Sequence, residues 1–337
     1  MVNEALDFFG AVAYNMAGEL RGPIRRRRRV RIVLIGQTAF GQKALERLVK
    51  EGEEVVGVYT SPEVPGRANP VKELALRLGI PTFQPESMKA GEVYDDYIKL
   101  EPDLNVMAYV TSILPESILS HPRLGTIQWH PSLLPKHKGG SSISWAIING
   151  DTRTGITIFW PDKGIDTGPI LMQKEAEISL DDTAGSLYFD KLFPLGIQAL
   201  AESIELIRKG TAPRIPQDES QATYEPLLTD KDAAIDWGQP GARVYNFIRG
   251  TNPRPGATAR FGGTGFKVFD SELLADAVGG LPGEVADITE RGLVVLAAGG
   301  GVLIKEVQPA RSPKMGATGF AAQAGLKVGD RLGGQGI

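Results

Sequence analysis

From Val30 onward, short β-branched runs alternate with amphipathic stretches. Val30-Arg-Ile-Val-Leu-Ile35, closed by Gly36, reads as a strand; Lys43 to Lys50, with Ala44, Leu45, Leu48 and Val49 along one side, reads as a helix. The same pattern predicts strands at Glu54 to Tyr59, Ile80 to Phe83 and Leu104 to Ala108, with a helix at Val71 to Leu78. Further strands are expected at Gly125 to Trp129, Thr154 to Trp160 and Ile170 to Ala176, then one long helix from about Thr183 to Lys209. Such alternation predicts an α/β fold with a Rossmann-like, mostly parallel sheet covered by helices on both faces.

The pattern changes after Gly210. Thr211-Ala-Pro-Arg-Ile-Pro216 has the proline content of a linker, and short strand candidates follow, separated by Gly and Pro: Ala257 to Phe261, Gly265 to Leu274, Gly283 to Ile288, Leu293 to Ala298 and Val302 to Val307. These predict a small OB-like β-barrel. The division expected is an extension at 1–29, a catalytic domain at 30–210, a barrel at 211–307 and a flexible tail at 308–337, the last because it is rich in Gly, Ala, Ser and Lys.

Composition narrows the chemistry. The charges nearly balance, 37 Lys plus Arg against 40 Asp plus Glu, so a polyanion would need a local basic patch. Lys136, Lys138, Arg243, Arg249, Arg254 and Arg260 form no obvious stripe. No apolar stretch approaches the ~20 residues that span a bilayer, so no membrane partner is expected, and nothing in the pattern assigns an oligomeric state. The absence of cysteine removes thiol nucleophiles, disulfides and cysteine-ligated zinc, and fits a reducing, cytoplasmic location. In Met1 to Arg29, acidic residues precede the apolar part and Arg25 to Arg29 follow it, the reverse of a secretory signal. That segment is expected to be disordered or to lie upstream of the native start; five arginines could alternatively contact nucleic acid or anionic lipid.

Only three histidines exist, His121, His130 and His137, so general acid–base chemistry near neutral pH has few candidates. His130 ends the strand candidate Gly125 to Trp129, and a period of two turns His130 and Gln128 away from the face of Trp129, placing an amide and an imidazole in one site. Prolines 131 and 135 fix the chain as it leaves the sheet edge, where parallel sheets bind ligands. Asp162-Lys-Gly-Ile-Asp-Thr-Gly168 is either a hairpin turn or a loop whose carboxylate reaches His130. Gly36-Gln-Thr-Ala-Phe-Gly41 lacks Walker spacing, because Gln42 precedes Lys43, and reads as a turn in which glycine lets strand and helix pack closely.

His130-Pro-Ser-Leu-Leu-Pro135, then Lys136-His-Lys-Gly-Gly140 and Gly164-Ile-Asp-Thr-Gly168, resembles the formyltransferase family that uses 10-formyltetrahydrofolate. Ile248-Arg-Gly-Thr-Asn-Pro-Arg-Pro-Gly-Ala257 resembles the start of the C-terminal domain of methionyl-tRNA formyltransferase and of the hydrolase portion of 10-formyltetrahydrofolate dehydrogenase. Ile35 to Gln42, the Pro-Ser after His130, Ile158-Phe-Trp160 and Phe193-Pro-Leu-Gly-Ile197 are more similar to the hydrolase portion. The resemblance implies the formyltransferase fold, His130 as catalytic histidine, Asp166 as its carboxylate partner, and Ser112, Ile113 and Leu114 as residues that hold the folate's pterin end. It implies hydrolysis of 10-formyltetrahydrofolate to tetrahydrofolate and formate, or a closely related formyl transfer. Gln128 stands where most formyltransferases have asparagine; the hydrolase branch also lacks that asparagine. Methionyl-tRNA formyl transfer, with tRNA as partner, and folate binding without catalysis are the alternatives. No metal and no NAD(P) are expected, because the chain has neither the length for an aldehyde dehydrogenase domain nor a cysteine nucleophile.

Overall fold

The computed structural model describes residues 29–277 and 279–334; the expectations for residues 1–28 lie outside the described residues. The first domain holds β1 (Arg31–Gly36), α1 (Thr38–Lys50), β2 (Glu54–Tyr59), α2 (Pro70–Arg77), β3 (Thr82–Phe83), α3 (Gly91–Ile98), β4 (Leu104–Ala108), α4 (Glu116–Leu119), β5 (Thr126–His130), α5 (Ser142–Asn149), β6 (Arg153–Phe159) and β7 (Ile170–Glu177). The strands form one sheet in the order β3-β2-β1-β4-β5-β6-β7. The five from β3 to β5 are parallel, whereas β6 pairs antiparallel with both β5 and β7.

The sheet is buried on both faces, which is why β1 reads as an unbroken apolar run. Ile32 and Leu34 enter the core under α1, while Val33 and Ile35 enter the opposite core with Tyr59, Tyr97, Met107 and Ile118. Asn105 on β4 is fully buried, and its amide is satisfied by the Tyr97 hydroxyl, the Ile118 carbonyl and Thr126 Oγ1. The close approach of β1 and α1 depends on glycine: a Cβ on Gly41 would stand 2.8 Å from the Gly36 carbonyl carbon. This is the packing role predicted for that turn.

The long helix after β7 is not continuous. It begins as α6 (Ala184–Ser186), widens into a π-helical stretch (Leu187–Leu192), and continues as α7 (Phe193–Lys209). Pro194 has no N–H for the Asp190 carbonyl four residues back, so the ladder has to widen there.

After the linker comes α8 (Gly241–Thr251), a helix absent from the sequence reading, then β8 (Ala257–Phe261), β9 (Thr264–Leu274), β10 (Val285–Thr289), β11 (Gly292–Ala297), β12 (Gly300–Pro309), β13 (Met315–Gly316) and α9 (Ala317–Ala324). The antiparallel order is β10-β11-β12-β9-β8, with β13 on β12. Over its described part, residues 308–334, the expected flexible tail is instead packed on the barrel. Ala317, Phe320, Ala321, Leu326 and Leu332 are buried in the barrel core, and residues 330–333 bridge the two outer strands. Gly333 exchanges two backbone hydrogen bonds with Arg260 on β8; Asp330 accepts from Val285 on β10, and Leu332 donates to Gly283. The small residues that suggested looseness let α9 lie close on the sheet, and the segment is held because it closes the barrel.

The domains meet through α8. Arg243 donates to the Ile148 carbonyl at the end of α5, and the buried Arg249 donates to the carbonyls of Ser179 and Asp182. Burial alone would raise the Asp182 pKa, but the Lys191 ammonium at 2.6 Å and the Ser179 N–H outweigh it, holding the carboxyl below its ordinary range.

Phe320→Ala is expected to destabilise the protein by roughly 3–5 kcal/mol, measured by urea denaturation; a loose tail would give no change. A lowered folded pKa means that Asp182 stabilises above its unfolded value of about 3.9 and loses that contribution as pH falls through the folded one. Asp182→Asn should therefore flatten the decline in stability below about pH 4, read as denaturation midpoints across that interval.

Candidate active site

β1 and β4 are sequence-distant neighbours, and the chain winds away from them in opposite directions, β2 and β3 to one side and β5 to the other. Their carboxyl ends therefore border a crevice, the usual ligand position in an open α/β sheet. The crevice is bordered by Gln37 after β1, by residues 109–114 after β4, and by His130 at the end of β5. The Gln37 N–H donates to the Ala108 carbonyl, and Thr111 Oγ1 donates to Gln37 Oε1 at 3.4 Å, tying the first two loops together.

On β5, Ile127 and Trp129 point into the core under α1, where Trp129 stacks on Phe40 with ring centroids 4.1 Å apart. Gln128 and His130 take the other face, as the period of two requires. His130 is 4% exposed. Its Nε2 lies 2.9 Å from the His137 carbonyl oxygen. A carbonyl can only accept, so Nε2 carries the hydrogen and the lone pair of the neutral ring is on Nδ1. Nδ1 stands 3.4 Å from Asp166 Oδ2, within ion-pair range.

Asp166, in the 162–168 loop between β6 and β7, is also buried, and its Oδ2 accepts from the Gly139 N–H at 2.9 Å. Its φ of +55° is left-handed, a conformation that Asp adopts more readily than most residues. Asp162, the other carboxylate, accepts from the Gly164 N–H and the Thr167 hydroxyl and is committed to shaping the loop. Both readings of the loop thus hold, one for each aspartate: Asp162 makes the turn and Asp166 reaches His130.

Thr157 on β6 buttresses the exit of β5 by donating to the Ser132 carbonyl and accepting from the Leu134 N–H. Gln128 is half-buried and makes no side-chain hydrogen bond among the described residues, so its amide is uncommitted. Ser112 and Ile113 are exposed at the crevice, but Leu114 is buried in the core beside Met107 and Ile118, so its side chain packs inward. His121 is remote in role, packed on Tyr94 and Tyr97.

Sequence reasoning missed the residues that hold the His137 loop. His137 lies between two carboxylates, with Nε2 2.7 Å from Asp151 Oδ2 and Nδ1 3.1 Å from Glu225 Oε1. Lys138 is buried with its ammonium on Glu219 at 2.7 Å; burial alone would lower its pKa, but Glu219 and Tyr224 outweigh that and raise it. Among the described residues, no cluster of three or more His, Cys, Asp or Glu is placed to hold a metal ion, and no helix is long and apolar enough to cross a membrane.

The chain matches the formyl transferase domain over residues 28–203 and the formyl transferase C-terminal domain over residues 227–325. It belongs to the formyl transferase family. It is 40% identical over 272 residues to the mitochondrial 10-formyltetrahydrofolate dehydrogenase of Mus musculus, covering 79% of this chain and 30% of that protein. The chain thus spans less than a third of the dehydrogenases it matches. It is 37% identical over 311 residues to the methionyl-tRNA formyltransferase of Alkaliphilus oremlandii, covering 90% of this chain and all of that one. Its fold resembles HypX from Aquifex aeolicus in complex with tetrahydrofolic acid, with a TM-score of 0.64 at 17% identity over 89% of this chain and 48% of that one. It also resembles the N-formyltransferase from Helicobacter canadensis, with a TM-score of 0.62 at 19% identity over 83% and 99% of the two chains.

Proposed function

We propose that this chain acts on the formyl group of 10-formyltetrahydrofolate, releasing tetrahydrofolate and formate, with His130 and Asp166 as the reacting pair. The observation that carries the proposal is the buried approach of His130 Nδ1 to Asp166 Oδ2, at 3.4 Å. One ring nitrogen is tied to a carbonyl, so protons enter and leave His130 at the nitrogen that faces the carboxylate.

Water adds to the formyl carbon and gives up a proton to the His130–Asp166 pair. The tetrahedral oxyanion takes hydrogen bonds from the uncommitted Gln128 amide and from protonated His130. The bond from carbon to N10 then breaks, His130 returns its proton to that nitrogen, and formate leaves. Ser112 and Ile113 border the space for the pterin end. An amine in place of water would give a formylated acceptor by the same steps. That second reading, with methionyl-tRNA as acceptor, draws on the likeness to methionyl-tRNA formyltransferase across both domains. The hydrolytic reading draws on the likeness to the dehydrogenases and on Gln128 in place of the asparagine common in formyltransferases.

Incubation of the purified protein with 10-formyltetrahydrofolate should release tetrahydrofolate and formate without any tRNA. Release only with methionylated initiator tRNA would transfer the assignment to the second reading, and binding without release under either condition would refute both. His130→Ala should lower turnover by roughly 10²–10⁴-fold with the circular dichroism of the folded state retained. Asp166→Asn keeps size and removes charge, and unchanged turnover in that variant would make the carboxylate structural.

A further inference from the structure

Two residues next to His130 have left-handed backbones although neither is glycine: His137, at φ +55°, and Asp166, also at +55°. Such conformations are costly for residues other than glycine and persist where surrounding contacts over-determine them. Besides Asp151 on His137 and the Gly139 N–H on Asp166, both residues take contacts from one stretch of chain, residues 217–225, which lies between the two matched regions, 28–203 and 227–325.

The Gln217 amide donates to the carbonyl of Asp166 at 2.8 Å and to that of Gly168 at 2.7 Å, fixing the peptide that follows Asp166. Thr223 Oγ1 accepts from the His137 N–H at 2.8 Å. The Thr223 carbonyl accepts from the Lys138 N–H at 2.9 Å, and the Thr223 N–H donates to the Pro135 carbonyl. Glu219 pairs with the Lys138 ammonium, and the Glu225 carboxylate stands 3.1 Å from His137 Nδ1. The segment is thus laced along 135–139 as a short parallel pairing and caps the Asp166 loop as well.

The geometry points to residues 217–225 as a strap that positions the reacting pair, with Thr223 and Glu225 holding the His137 carbonyl where it selects the Nε2–H tautomer of His130. This rests on the assignment of His130 and Asp166 as the reacting pair. The hydrogen bonds of the strap residues run to 135–139 and to the Asp166 and Gly168 carbonyls, so they act through His137 and Asp166. The strap also leads directly to the C-terminal domain: the Trp145 indole holds the Pro226 carbonyl at 2.8 Å, and Ser141 Oγ accepts from the Leu228 N–H. Seating of that domain on α5 and the set of the catalytic loop are therefore mechanically continuous.

With three histidines in the chain, ¹⁵N-labelled imidazole spectra can report each tautomer separately. Thr223→Val removes the acceptor for the His137 N–H, Glu225→Gln removes the carboxylate, and Thr223→Ser keeps the hydroxyl. In the first two, the His130 signals should leave the Nε2–H pattern, and kcat for formate release from 10-formyltetrahydrofolate should fall roughly 10- to 100-fold, with KM for the folate within about twofold. Thr223→Ser should retain both the tautomer and the rate. An unaltered His130 tautomer in Thr223→Val and Glu225→Gln, whether kcat is unchanged or falls only as the folded fraction falls, overturns the strap. The spectra are read without turnover: an active His130→Ala would remove the reacting-pair assignment, while a tautomer shift in Thr223→Val would still show that the strap controls the ring.

Discussion

A histidine can serve as a proton carrier at a defined place only if one of its nitrogens is taken out of competition. The hydrogen bond from His130 Nε2 to the His137 carbonyl does this, and much of the site follows from it. It leaves Nδ1 as the nitrogen without a carbonyl partner, and Nδ1 faces Asp166. It also demands that the chain turn back within seven residues of His130, which prolines 131 and 135 and a left-handed residue at 137 achieve. A carbonyl is a dependable tautomer lock because it cannot donate. The burden passes to whatever keeps it in place.

That burden is met by the first domain and by the segment that leaves it. β5 supplies His130, the antiparallel pair β6 and β7 presents the loop that carries Asp166, and Thr157 on β6 braces the exit from β5. Without the antiparallel strands the sheet would end at β5 and Asp166 would have no rigid support. The reversal of strand direction at β6 sets Thr157 beside His130 and Phe159 beside Gln128, and the loop that follows β6 brings Asp166 back to His130.

Periodicity revealed most of the first domain because a sheet buried on both faces leaves continuous apolar runs, as in Ile32 to Ile35, and because Gln128 and His130 are fixed to one face by the pleat alone. It was less informative where tertiary contacts override composition. The tail read as loose because Ala and Gly score as weak core residues, yet Ala317 and Ala321 are buried by their smallness, and residues 330–333 are ordered by closing a barrel whose edges are far away in sequence. Leu114 matched a family position for ligand contact but packs inward, because its apolar side chain is buried in the core with Met107 and Ile118. Asp166 was visible only through resemblance, because a loop carrying two aspartates gives no local sign of which one makes the turn.

Residues 217–225 were the least legible of all. Gln217, Glu219, Thr223 and Glu225 are ordinary polar residues in a proline-containing stretch, and the features that reveal their role are their distant partners, the peptides at 135–139 and 166–168. A linker has to cross the surface between domains in any case. Crossing directly behind the catalytic loop lets the same residues satisfy backbone groups that would otherwise be left unpaired, and such groups are costly when buried. The left-handed conformations at His137 and Asp166 are then held partly by the linker, through Thr223, Glu225 and Gln217, and partly by Asp151 and the Gly139 N–H. Contact of the connection with the loops that carry His137 and Asp166 therefore requires no conformational switch, since it follows from where the connection has to run.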